Sequence, residues 1–188
     1  LRLYSMAYNM KDVFYLDTAI DTTTSTGDGL TTLDLSSYVD PIARGRSKGT
    51  GLAVYKVHFD ICDDGGNDAV PAAATGTFRA GMISLSGATS AAVGAAALTS
   101  NVMNASNDLM IAGVDFYAGG TAAGDPAPNT FLEPSIEVPY IVVRDQIVLA
   151  ISVSTAMSVG CAVKVRLECA QVTLDQSTLN QLLRTQTV

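Results

Sequence analysis

With 188 residues, the chain is long enough for one sizeable core and too short for two comfortable domains. Its formal net charge of −7 argues against a protein that coats DNA or RNA by itself, because neutralising phosphates needs a basic surface. Charged residues make up only 15%, against roughly 25% in typical soluble chains. The surplus is Ala, Gly, Ser and Thr, so much of the exterior is weakly polar and is expected to be covered by neighbouring molecules.

In chain order, the first predicted strand is Val13 to Ile20, followed by the extended run Thr22-Thr23-Thr24-Ser25-Thr26 and a turn at Gly27-Asp28-Gly29. Leu30 to Leu35 is a short second strand. Ser36 to Gly51 reads as a polar connector holding Asp40-Pro41 and the basic cluster Arg44, Arg46 and Lys48. From Leu52 to Ile61 the chain alternates, with Ala53, Tyr55, Val57, Phe59 and Ile61 on one face and Lys56, His58 and Asp60 on the other. The strand ends at Asp63-Asp64-Gly65-Gly66-Asn67-Asp68, a turn by composition. Thr77 to Leu85 is the next strand. Between Gly87 and Asn107, the stretch Ala91 to Leu98 leans towards helix, weakened by Gly94. Ala118 to Pro134 is rich in Gly and Pro and reads as loop.

Three strands complete the pattern: Ser135 to Val143, Gln146 to Thr155 and Gly160 to Thr173. In Gln146 to Thr155, Ile147, Leu149, Ile151 and Val153 alternate with Val148, Ala150, Ser152 and Ser154, so one face is large and aliphatic and the other small enough to meet a second layer closely. Shared parity places Tyr55, Val57, Phe59, Ile147, Leu149, Ile151, Val163, Val165 and Leu167 in one core. Asp175-Gln176-Ser177-Thr178 then caps a short amphipathic helix with Leu179, Leu182 and Leu183 at i, i+3 and i+4. A helix this short needs something to dock on, either its own sheet or a neighbour.

About seven or eight strands with uneven loops and no βα repeat predict an all-β fold: an antiparallel β-sandwich of jelly-roll type with a short C-terminal helix. An immunoglobulin-like sandwich fits less well, since the chain has no Trp and its loops are long for hairpins. The expected organisation is an N-terminal arm over 1–12, the sandwich over 13–174 and a helix with tail over 175–188. No signal-peptide pattern is visible, and the start at Leu1 rather than Met is consistent with an upstream segment processed away or left out. The charge-free windows Ala80 to Asn107 and Gln146 to Val163 carry too much Gly, Ser and Thr to read as bilayer helices.

Groups able to do chemistry are sparse. His58 is the single histidine and lies on a strand with no nucleophile motif beside it, so neither catalysis nor a metal role is expected of it. The three cysteines form no CxxC pair, and Cys161 and Cys169 would sit roughly 26 Å apart on one strand, beyond disulfide reach. Buried free thiols are the expectation. Arg44-Gly45-Arg46-Ser47-Lys48-Gly49-Thr50-Gly51 fails the P-loop spacing and reads as a solvated loop, as Arg44, Arg46 and Lys48 pairing with carboxylates of an adjacent subunit or, third, as a nucleic-acid contact. Asp60, Asp63, Asp64, Asn67 and Asp68 hold enough oxygen ligands for calcium, but not in EF-hand spacing, and most acidic Gly-rich turns bind nothing. Sugar sites lean on aromatic platforms, whereas this chain has no Trp and half of its Tyr and Phe lie in predicted strands.

The strand pattern, the charge-poor surface, the absence of catalytic clusters and the detachable-looking helix together resemble the single jelly-roll capsid proteins of icosahedral viruses. The resemblance lies in overall organisation and covers most of the chain. It implies a structural, self-assembling capsid protein of the virion that is not an enzyme and needs no cofactor. Its partners would be copies of itself and other capsid proteins, with Arg44, Arg46, Lys48, Leu179, Leu182 and Leu183 at subunit interfaces. Because a basic arm is missing, it further implies a shell kept from direct nucleic-acid contact by an internal membrane or by other proteins. The alternative is an extracellular filament or surface-layer subunit that assembles by donating its Thr-rich N-terminal segment or first strand. A third class is a carbohydrate-binding or hydrolytic β-sandwich.

Overall fold

The computed structural model describes residues 12–22, 24–40, 48–85, 94–119 and 126–186. Among these, the strands are β1 (Val13–Asp21), β2 (Gly27–Asp34), β3 (Lys48–Asp63), β4 (Thr75–Leu85), β5 (Met110–Gly119), β6 (Ala127–Leu132), β7 (Tyr140–Val142), β8 (Gln146–Thr155) and β9 (Cys161–Asp175). Two helices accompany them, α1 (Ala95–Asn101) and α2 (Gln176–Thr185). The strands form a four-stranded sheet in the order β1-β9-β3-β7 and a five-stranded sheet in the order β2-β8-β4-β5-β6, with every pairing antiparallel. Among the described residues no helix is long and apolar enough to cross a membrane.

The main core lies between the sheets, where the large aliphatic face of β8 (Ile147, Leu149, Ile151, Val153) meets Val57, Val163, Val165 and Leu167. Phe59 packs against the same cluster. Tyr55 departs from the expected parity. Val54 pairs with Cys169 while Lys56 pairs with Glu168, which leaves Tyr55 as the extra residue of a β-bulge. One inserted residue exchanges the two faces of a strand, so Leu52 and Val54 enter the core in place of Ala53 and Tyr55.

A second apolar layer covers part of the five-stranded sheet's outer side. Val148 and Ala150, on the small face of β8, pack with Ile83, Leu85 and Met110 beneath Leu98, Val102 and Met103 of α1 and the loop after it. The strand β5 is therefore buried on both faces over most of its length. The strand expected over 135–143 shrinks to Tyr140–Val142, because Pro134 and Pro139 cannot donate to a ladder and 133–139 forms a turn instead. Conversely, Ala127–Leu132 forms the edge strand β6 within a stretch whose Pro content reads as loop.

Candidate functional site

Among the described residues, charges of both signs gather on the outer face of the four-stranded sheet. Outward-pointing Lys56, His58 and Asp60 of β3 flank Lys164, Arg166 and Glu168 of β9, and Tyr15 and Asp17 of β1 stand on the far side. The register sets opposite charges against one another, with Arg166 opposite Asp17 and Lys164 opposite Asp60. His58 Nε2 donates to Glu168 Oε1 over 2.8 Å, and the Arg166 guanidinium lies 5.5 Å from the Tyr15 ring centroid. Exposed pairs of this kind contribute about 0.2–1 kcal/mol each, so the grid acts on solubility and partner choice more than on fold stability. His58 is thus a member of a charged surface with a carboxylate partner and no nucleophile in the same hydrogen bond.

Of the basic cluster expected at an interface, Arg44 and Arg46 lie outside the described residues. Lys48 opens β3 as an exposed residue directly opposite Asp175 of the same chain. It helps, after the stronger hydrogen bonds from Thr178, to hold the Asp175 carboxyl below its ordinary range. The acidic turn does not assemble a ligand set. Asp63 Oδ1 accepts from Gly65 N at 2.7 Å, Asn67 Oδ1 accepts from Lys164, and Asp60 faces outward in the charged grid. Asp64 and Asp68 are exposed on the turn, where the Asp63 N–H bonds the Asp68 carbonyl. Among the described residues no three His, Cys, Asp or Glu side chains converge on one point. Cys62, Cys161 and Cys169 are all buried free thiols, and burial raises Cys161 and pushes Cys169 up to about 12.

The helix α2 docks on its own sandwich. Asp175 caps it by accepting from Thr178 N at 2.7 Å, and Leu179 is fully buried where β3 is reduced to Gly49. At its end the buried Gln186 side chain donates to the Ile141 carbonyl at 2.6 Å and accepts from Val143 N at 3.3 Å and Ser84 Oγ at 3.2 Å. Arg144 closes the junction, donating to the backbone carbonyls of Gln186 and Leu183 at 2.8 Å each. Leu179 is therefore spent inside the subunit, whereas Leu182 and Leu183 are half-buried and keep some surface.

A third cluster was not anticipated. Arg79 of β4 and Asp115 of β5 stand opposite one another and form a two-point pair, Nε to Oδ1 at 2.6 Å and Nη2 to Oδ2 at 2.8 Å. The guanidinium also lies 4.3 Å from the Phe131 ring centroid, and Asp115 holds the Arg79 pKa above its ordinary value. Among the described residues, the pair borders a cleft of about 460 Å³ between α1 and the outer side of the five-stranded sheet. Its sequence signal is one lone charge within each of two apolar runs; Asp115 is buried and needs a partner, and the half-exposed Arg79 supplies it.

No protein-family model, curated protein or solved structure matches the chain.

Proposed function

We propose that the chain is a self-assembling structural subunit with a jelly-roll fold, a capsid protein that builds an icosahedral shell with copies of itself. The observation that carries this reading is the order of strand pairing. β1 pairs with β9, β2 with β8, β3 with β7 and β4 with β5, so early and late strands nest as in one long hairpin. Rolling such a hairpin would place alternate pairs in opposite sheets, which supports the jelly-roll reading, and β6 extends one edge. Shells, lectins and other proteins use that roll, and fold alone does not choose among them. The choice of a shell rests on the charge-poor surface and on where charge does occur, in a grid of both signs suited to meeting another protein rather than a polyanion.

Negative-stain microscopy and sedimentation of the purified full chain test the proposal. Closed particles of uniform diameter are expected, weakened by high salt and by Arg44→Glu or Arg46→Glu. Fibres would favour the strand-donating filament, and a monomer at all concentrations would refute both readings.

A further inference from the structure

The Arg79–Asp115 cleft has the chemistry of a binding site for a neutral sugar, and we infer that it binds a neutral hexopyranose. Its volume of about 460 Å³ falls in the range of small-molecule sites. Hydroxyls dominate its walls: Thr77, Ser152 and Ser154 from the sheet, Thr99 and Ser100 from α1. Thr99 Oγ1 donates to Asp28 at 2.8 Å and Ser100 Oγ to the Ala96 carbonyl at 2.7 Å, so their protons are committed and their lone pairs remain. Asn104 Oδ1 is similarly taken up by the N–H and hydroxyl of Ser106, which leaves its amide nitrogen as a donor. A wall rich in acceptors with a few fixed donors suits a ligand that is itself a row of hydroxyls.

Charge and ring complete the assignment. Arg79 and Asp115 neutralise each other through two hydrogen bonds, so the cleft holds no unmatched cation for a phosphate and no unmatched anion for an amine. The pair still presents a rigid fork, because the Arg79 side chain is 42% exposed and its plane is held by Phe131. Tyr117 lies two residues from Asp115 on the same outward face of β5, directly opposite Thr77, and is 52% exposed. An exposed ring beside a polar fork offers a platform for the apolar face of a pyranose, while the fork and hydroxyls take its edge. The aromatic platform is not apparent from the sequence because Met110–Gly119 carries no alternating pattern, and only at the end of β5 does Tyr117 emerge from the α1 layer.

The test is saturation-transfer NMR on the full chain with glucose, galactose, mannose and N-acetylglucosamine, followed by titration of any sugar that responds. Transfer to at least one is expected. Tyr117→Ala should weaken it roughly tenfold or more, the loss of a stacking contact of about 1.4 kcal/mol. Ser152→Ala should weaken it as well, while Tyr15→Ala, which removes an exposed ring on the opposite sheet, should leave it unchanged. Absence of transfer from all four sugars, or binding insensitive to Tyr117→Ala and Ser152→Ala, would overturn the inference. Because the readout is independent of particle formation, a failure here leaves the shell proposal standing, and the reverse holds too.

Discussion

Replacing Leu179 with Ala should loosen the C-terminal helix from the sandwich and lower the stability of the whole subunit. Leu179 is fully buried, and a methyl built on Gly49 would come within 2.7 Å of its Cδ2, so the leucine fits a notch with no slack. Leu→Ala substitutions in cores cost about 2–5 kcal/mol, the larger values arising where surroundings cannot collapse. The helix has only ten residues and lies at the surface, so it can settle partly into the space left, which places the expected cost near the lower end, about 2–3 kcal/mol. The loss is also capped. Once it exceeds the free energy that holds α2 in place, the helix leaves and further damage stops. In urea, the midpoint should fall by roughly 1 M for a slope of about 2 kcal/mol/M. Hydrogen exchange should show amides across 176–186 losing protection before the sheets do. A midpoint unchanged within about 0.2 M together with undiminished protection of α2 would refute the docking mechanism. If the effect appeared only in assembled material, Leu179 would belong to an intersubunit contact instead.

Gly113→Ala should destabilise by about 1–3 kcal/mol, because a Cβ there would meet Phe131 Cζ at 2.1 Å and push the ring off Arg79. In a Phe131→Ala background the same substitution should be nearly neutral, and equal costs in both backgrounds by chemical denaturation would contradict this cause. Burial raises the Cys169 thiol from 9.0 to about 12, so the folded state resists losing a proton that the unfolded state gives up readily. Its stabilising contribution is full below the unfolded thiol's pKa and declines between 9.0 and about 12 as pH rises. Cys169→Ala should flatten that alkaline fall in urea midpoints, and a profile identical to the parent's would show that other groups cause it.

How much of this was legible in the sequence depended on how each strand is covered. β9 alternates between the core and the charged outer face over Val163–Glu168, and β8, though buried on both faces from Ile147 to Ile151, alternates large with small residues, so the pattern reveals both strands and their orientation. β5 is buried on both faces, so Met110–Gly119 lacks the polar half of the pattern and no strand was assigned there. β6 fails in the opposite way: its first four residues are exposed and include Pro128, and an edge strand with a Pro is locally indistinguishable from a loop. Tyr55 shows a third kind of failure, since a bulge is specified by pairing with β9 more than a hundred residues away and leaves no local mark. The helix α2 was readable from its cap and leucine stripe. Its docking partner was not, because that depends on Gly49 and on Gln186, a polar residue whose burial is explained only by the carbonyl and N–H groups it meets.

The two outer faces of the sandwich differ in a way that bears on assembly. On the four-stranded sheet, β1, β3 and β9 present charges of both signs, and no other element among the described residues covers them. On the five-stranded sheet, α1 covers one part, and the cleft beside it among the described residues is lined largely by hydroxyls, Tyr117 and a charge-balanced pair. A subunit placed in a shell with these faces as its two surfaces would give that shell a salt-sensitive side and a nearly neutral side. Lateral contacts would then fall to the remaining perimeter, the loops and the edge strands. Ile136 and Val138 belong to that perimeter: they are 62% and 75% exposed on a turn closed by Val138 N–H on Ser135 Oγ at 3.1 Å and by Ser135 N–H on the Val138 carbonyl at 3.3 Å. Two β-branched side chains have few rotamers to lose when a neighbour covers them, and the backbone beneath is already fixed by these bonds, which makes such a turn a better contact point than a long charged side chain of the same area.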